Sequence, residues 1–149
     1  MRFFKLKIFF VFLISCLFCG CDAGAQGPVR VDSRAYHVDD AQKIYSAYQS
    51  HQSDFFVESS GVVVKILSDD LEGSRHQRFI LKLFHEQTIL IAHNIDIAPR
   101  IKDLSIGDQV YFRGEYVWND KGGVVHWTHH DLQHRKSGGW LEYNSMRYE

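Results

Sequence analysis

Apolar and polar positions alternate along this chain with two different periods, and the change from one to the other outlines the fold. Between residues 39 and 52, Ala41, Ile44, Tyr45 and Tyr48 recur at helical spacing. The spacing predicts an amphipathic helix with Asp39 as N-cap and Gln42 at the capping-box position. After Ser59-Ser60-Gly61 the period shortens to that of strands, which are expected over residues 62–68, 76–84, 88–94, 109–118 and 124–130. In the second of these, Gln77, Phe79, Leu81 and Leu83 share one face and His76, Arg78, Ile80 and Lys82 the other. In the fourth, Val110, Phe112, Tyr116 and Trp118 share a face interrupted by Gly114, as expected where a strand bends at a barrel corner. Residues 97–104 suit a short helix that Ser105-Ile106-Gly107-Asp108 would end.

A mainly β chain of five strands, with a short helix between the third and fourth, follows the order of an OB-fold barrel. The alternative is an open sheet or small sandwich. Closure would require the first strand to pair with both the second and the fourth, with residues 62–64 near residues 110–112.

The N-terminus has the layout of an export signal. Arg2, Lys5 and Lys7 precede an uncharged apolar run from Ile8 to Phe18, shorter than the roughly 20 residues of a membrane span. Ala23-Gly24-Ala25 offers a signal-peptidase site, giving a leader of residues 1–25. Leu13-Ile14-Ser15-Cys16 and Phe18-Cys19-Gly20-Cys21 resemble the lipobox of bacterial lipoproteins, so Cys16 or Cys21 is a candidate lipidation site. In the Cys21 case the signal is residues 1–21, a tether runs over 22–37, and one OB-like domain fills 38–149. The protein is expected to be periplasmic, either soluble or lipid-anchored.

The three cysteines all lie in this leader, which leaves the exported part without a disulfide framework, a Cys-ligated zinc or a thiol nucleophile. Without Arg2, Lys5 and Lys7, 14 basic residues face 18 acidic ones, a net charge of −4 with His neutral. A protein that grips nucleic acid non-specifically needs a positive field, so that partner class is disfavoured. The nine histidines make the charge sensitive to mild acid.

Four runs carry a resemblance: Gly73-Ser74-Arg75-His76-Gln77-Arg78-Phe79; Ile91-Ala92-His93-Asn94-Ile95-Asp96 with Ala98-Pro99-Arg100; Gly122 to Asp131; and Gly139-Trp140-Leu141. Over residues 59–148 the chain resembles a bacterial family of exported proteins known only as a domain of unknown function. The resemblance implies export and these boundaries but no activity.

Candidate chemistry concentrates in His126-Trp127-Thr128-His129-His130-Asp131. On a regular strand, side chains at i and i+2 share a face, and those at i and i+4 lie about 13 Å apart. His126 and His130 are therefore too distant for one ion, whereas His129 and Asp131 could share one. His129, Asp131, His93 and Asp96 form the candidate set for a divalent metal ion, with His76 a further donor. The alternative is that these histidines are structural, closing a barrel end over Trp127. Asp69, Asp70 and Glu72 could hold a hard cation, although their spacing matches no known calcium loop. Arg75, Arg78, Lys82, Arg100 and Arg113 suit an anionic ligand. Arg113 and Glu115, two apart on one strand, are also placed to neutralise each other.

Three function classes follow. One is a cell-envelope binding module for a small or anionic ligand, using His76, Arg78, His93, Asn94, Arg100 and Trp127. Another is a metal-dependent hydrolase acting on phosphodiesters, with His126, His129 and Asp131 as catalytic candidates. The thermonuclease family builds an acidic calcium site on an OB barrel, but its motifs are not matched here, and fold analogy is a weak warrant. The third is a membrane-tethered interaction protein using Gly138-Gly139-Trp140 and Tyr143.

Overall fold

The structure of the protein, a computed structural model, describes residues 39–133 and 135–149. The expected export signal, its candidate cleavage site, the expected tether and the candidate lipidation sites Cys16 and Cys21 lie outside the described residues. The elements in chain order are α1 (Ala41–Gln49), β1 (Phe55–Ile66), β2 (His76–Lys82), β3 (Thr88–Asn94), β4 (Gln109–Val117), β5 (Val124–His126), β6 (Trp140–Tyr143) and β7 (Met146–Tyr148).

β1 begins seven residues earlier than the periodicity predicts, because Ser59-Ser60-Gly61 continues the strand instead of breaking it. Its first part, residues 55–62, pairs antiparallel with β4, and residues 62–66 pair antiparallel with β2 across a bulge. Gly61 sits where the strand passes from one neighbour to the other. A Cβ there would lie 2.9 Å from the Lys82 carbonyl oxygen, so the crossing needs a residue without a side chain. β2 pairs antiparallel with β3, β3 parallel with β5, and β5 antiparallel with β4. The ring β1-β2-β3-β5-β4 is closed by β1–β4, an OB-like five-stranded barrel that leaves none of these strands as an open edge.

The alternation read from β2 and β4 holds. Gln77, Phe79, Leu81 and Leu83 point inward and are buried, as are Val110, Phe112 and Tyr116. With Val57, Val63, Ile89, Ile91, Val125 and Leu141 they form the core, against which Ile44 and Ala47 of α1 also pack. Burying each such side chain is worth about 1.5–3 kcal/mol before entropy is counted.

Three expectations are corrected. Asp40, not Asp39, occupies the N-cap position of α1, and no capping box forms. The Asp39 carboxylate accepts from the Ala41 N–H and the Ser59 hydroxyl, while Asp40 accepts from the Glu58 N–H, so both acids dock the helix start on β1.

Residues 97–104 form no helix. Pro99 has no N–H to donate, and its carbonyl bonds to His93. The N–H and C=O of Ile101 are both taken by the buried amide of Gln77, at 2.9 Å each. Side chains from β2 and β3 thus replace helical hydrogen bonds, and Ala98, Ile101 and Leu104 plug the barrel.

The third correction is at the C-terminus, where an unforeseen hairpin forms. β6 pairs with β4 and β7, and its turn at Asn144 and Ser145 has φ of 50° and 62°, the two positive values of a type I′ turn.

Candidate functional site

β5 ends at His126, four residues short of the expected end, because Trp127 takes the left-handed backbone conformation, with φ of 55°. The chain then leaves the sheet and returns at Trp140 as β6. Along β4, Glu115 pairs with His126 and Arg113 with Trp140, so β5 and β6 lie along one flank of β4, separated by an excursion over residues 127–139. Two glycines make its neck possible. A Cβ on Gly114 would come 2.5 Å from the His126 carbonyl oxygen. One on Gly139 would overlap the Trp127 carbonyl oxygen and stand 2.5 Å from that of Arg113. Close approach accounts for Gly114, through which β4 runs unbroken. The Gly139 N–H donates to the His129 carbonyl at 2.9 Å and closes the neck.

The excursion is organised by Asp131. Its carboxylate accepts from the backbone N–H groups of Gln133, Arg135 and Lys136 at 3.0, 2.6 and 2.7 Å. These bonds, led by that of Lys136, hold the carboxyl below its usual range. Lys136 is thereby placed with its ammonium 2.8 and 3.1 Å from the two oxygens of the buried Glu115. The same ammonium lies 5.0 Å over the Trp127 ring, which packs against the His129 ring at 5.1 Å. His126 Nε2 is 3.8 Å from Glu115, but burial outweighs that carboxylate and pushes the imidazole below its ordinary value.

Breaking the strand at Trp127 lifts the alternation that a regular strand would impose. His126, His129 and His130 all line one cavity of about 340 Å³, with His76 and Asn94 from the adjacent ends of β2 and β3 and Arg135 from the excursion. Trp127 and Asp131 form part of its wall. His129 Nδ1 is 2.7 Å from the His130 carbonyl oxygen, which can only accept. Nδ1 therefore carries a proton, and in the neutral ring Nε2 is the nitrogen left for a bound molecule. Asn94 is similarly oriented: its Oδ1 accepts from the Asp96 N–H, leaving the NH₂ for other partners. The indole Nε1 of Trp127 is buried without a hydrogen-bond partner, a donor whose desolvation is uncompensated.

His93 does not join them. It is fully buried, with Nδ1 2.8 Å from the Thr128 hydroxyl and Nε2 3.1 Å from the Pro99 carbonyl. Nε2–H must donate to the carbonyl, so Nδ1 accepts from Thr128. Burial is the main cause of a pKa lowered to about 4. Asp96 is bound by Arg75, through the backbone N–H at 2.7 Å and Nε at 2.6 Å, and its carboxyl is held below the usual range chiefly by the backbone bond. Arg100 pairs with Asp69, Arg78 approaches Asp70 at 3.7 Å, and the acidic loop is thus shared between separate arginines. Arg113 pairs with Glu58 and not with Glu115. Among the described residues no group of three His, Cys, Asp or Glu is placed to hold a metal ion. Of the metal candidates, His129 and Asp131 share the cavity wall, while His93 is committed inside the barrel and Asp96 to Arg75.

Arg135 and Lys136 were not singled out from the sequence, and Glu115 was expected only as a partner of Arg113. The available signal was Arg135-Lys136 just before Gly138-Gly139-Trp140, a charged loop returning to an apolar strand.

A family model described as protein of unknown function (DUF3465) matches residues 29–149, a span that includes α1 as well as the barrel. No curated protein matches the chain.

Proposed function

Since the chain belongs to that family, from which no activity follows, we propose from the cavity itself that this is an exported binding module for a small ligand carrying an oxyanion. One observation carries the reading: three separate segments converge His76, Asn94, Trp127, His129 and Arg135 on a single cavity. Its open polar groups are mostly donors. Arg135 and the Asn94 amide offer N–H groups, and the Asp131 carboxylate is already spent on three backbone N–H groups. Donor-rich walls favour an acceptor-rich ligand, and guanidinium suits carboxylate or phosphate in particular. The strained backbone of Trp127 accords with a functional position, since left-handed non-glycine residues collect at ligand sites. Export rests on the leader pattern of residues 1–25.

Trp127 supplies the test. Titrating the purified protein with inorganic phosphate and with citrate should change the tryptophan fluorescence saturably, and Trp127→Phe should remove most of that signal. Arg135→Ala and Asn94→Ala should each weaken binding 10-fold or more, about 1.4 kcal/mol. Unchanged affinity in both variants, or no binding of either anion, would overturn the reading.

A further inference from the structure

The cavity lined by the three histidines does not end at His76 and His126. These two side chains also line a second cavity of about 370 Å³, whose other walls are Asp70, Arg78, Leu90, Ala92, Val117 and Val124. Four of those residues are apolar yet face outward from the barrel, half-buried, where a solvated sheet face would carry polar groups. Strand register makes three of them neighbours: Leu90 lies beside Val124 across β3–β5, and Val124 beside Val117 across β5–β4. Ala92, two residues on from Leu90, is opposite Arg78 on β2. The result is an apolar floor over β3, β5 and β4, bordered by Arg78 and continuous at His76 and His126 with the donor-rich cavity.

We infer that the ligand has two parts, a flat apolar body of about the size of an aromatic ring that rests on the Leu90, Ala92, Val117 and Val124 floor, and a phosphate or carboxylate that reaches the Arg135 and Asn94 end. This rests on the oxyanion reading above and adds the second half of the molecule. A simple inorganic anion would engage Arg135 and Asn94 and leave the floor in water. A purely apolar molecule would leave Arg135 and Asn94 unanswered. Only a molecule with both characters matches the two adjoining surfaces.

Calorimetric titration of the purified protein with phenyl phosphate, inorganic phosphate and phenol separates the possibilities. Phenyl phosphate should bind at least 10-fold more tightly than inorganic phosphate, and phenol more weakly than either. The paired substitution Leu90→Gln and Ala92→Gln, at outward positions, should bring phenyl phosphate down to the affinity of inorganic phosphate and leave inorganic phosphate unchanged. That retained binding also shows that the variant is folded. Arg135→Ala should weaken both phosphates. Equal affinity for phenyl and inorganic phosphate, or no effect of the paired substitution, overturns the apolar subsite while the oxyanion reading stands. Binding of neither phosphate overturns both.

Discussion

His93 shows how a single side chain can look like a ligand and serve as a clamp. It sits on β3 with its ring inside the barrel, joining Thr128 at the start of the excursion to Pro99 in the segment that plugs the core. Both bonds require the neutral ring, because a protonated Nδ1 could no longer accept from Thr128. The folded-state pKa of about 4 lies below the ordinary 6.5, so the stabilisation is complete above pH 6.5 and is lost as the pH falls toward 4. The full loss is about 3 kcal/mol. Urea denaturation between pH 7 and pH 4.5 should show stability falling through this window, and His93→Gln should flatten the fall. A variant with the wild-type slope would remove His93 as its source. The inward alternation of β3 follows the pattern of its residues, but the identity of the partners does not, since Thr128 and Pro99 lie 35 and 6 positions away in the chain.

At the scale of elements, β2, β3 and most of β4 were legible because each alternates regularly between core and solvent. The excursion was not legible, because a continuous apolar and aromatic run through Trp127 and Thr128 reads as a strand until a positive φ ends it. Its order depends on one carboxylate. Asp131→Ala would leave the N–H groups of Gln133, Arg135 and Lys136 without their acceptor and release Lys136 from Glu115. Hydrogen exchange should therefore quicken at those three amides by more than 10-fold, about 1.4 kcal/mol of local opening, with β2 and β3 unchanged. If those three amides exchange at the wild-type rate, the loop has another organiser.

On the scale of the whole molecule, the barrel is closed by β1 pairing with β4 over residues 55–62. The contact expected near residues 62–64 is displaced toward the start of β1, with Gly61 opposite Val110 and Ser59 opposite Phe112. The N-terminal leader sets a second whole-molecule expectation. Intact mass of the protein from its native host should lack residues 1–15, and a diacylglyceryl group on Cys16 or Cys21 would select the lipid-anchored form over cleavage after Ala25. A protein retaining residues 2–15 would refute export by this signal.

Local pattern was sufficient for whatever depends on one segment at a time. A period of two with apolar residues on one side specifies which face of β2 or β4 enters a core, whatever that core contains. Five such strands, with no disulfides to assist them, pointed to a barrel closed by packing alone. Tertiary structure decided everything that depends on how segments meet. Pro99 and Ile101 give up helical hydrogen bonds because Gln77 and His93 are there to replace them. His129 and His130 reach the cavity of His76 because Gly114 and Gly139 let the chain leave the sheet beside β4. Neither outcome is encoded in spacing, since one rests on side-chain hydrogen bonds from Gln77 and His93 and the other on the close backbone approaches at Gly114 and Gly139.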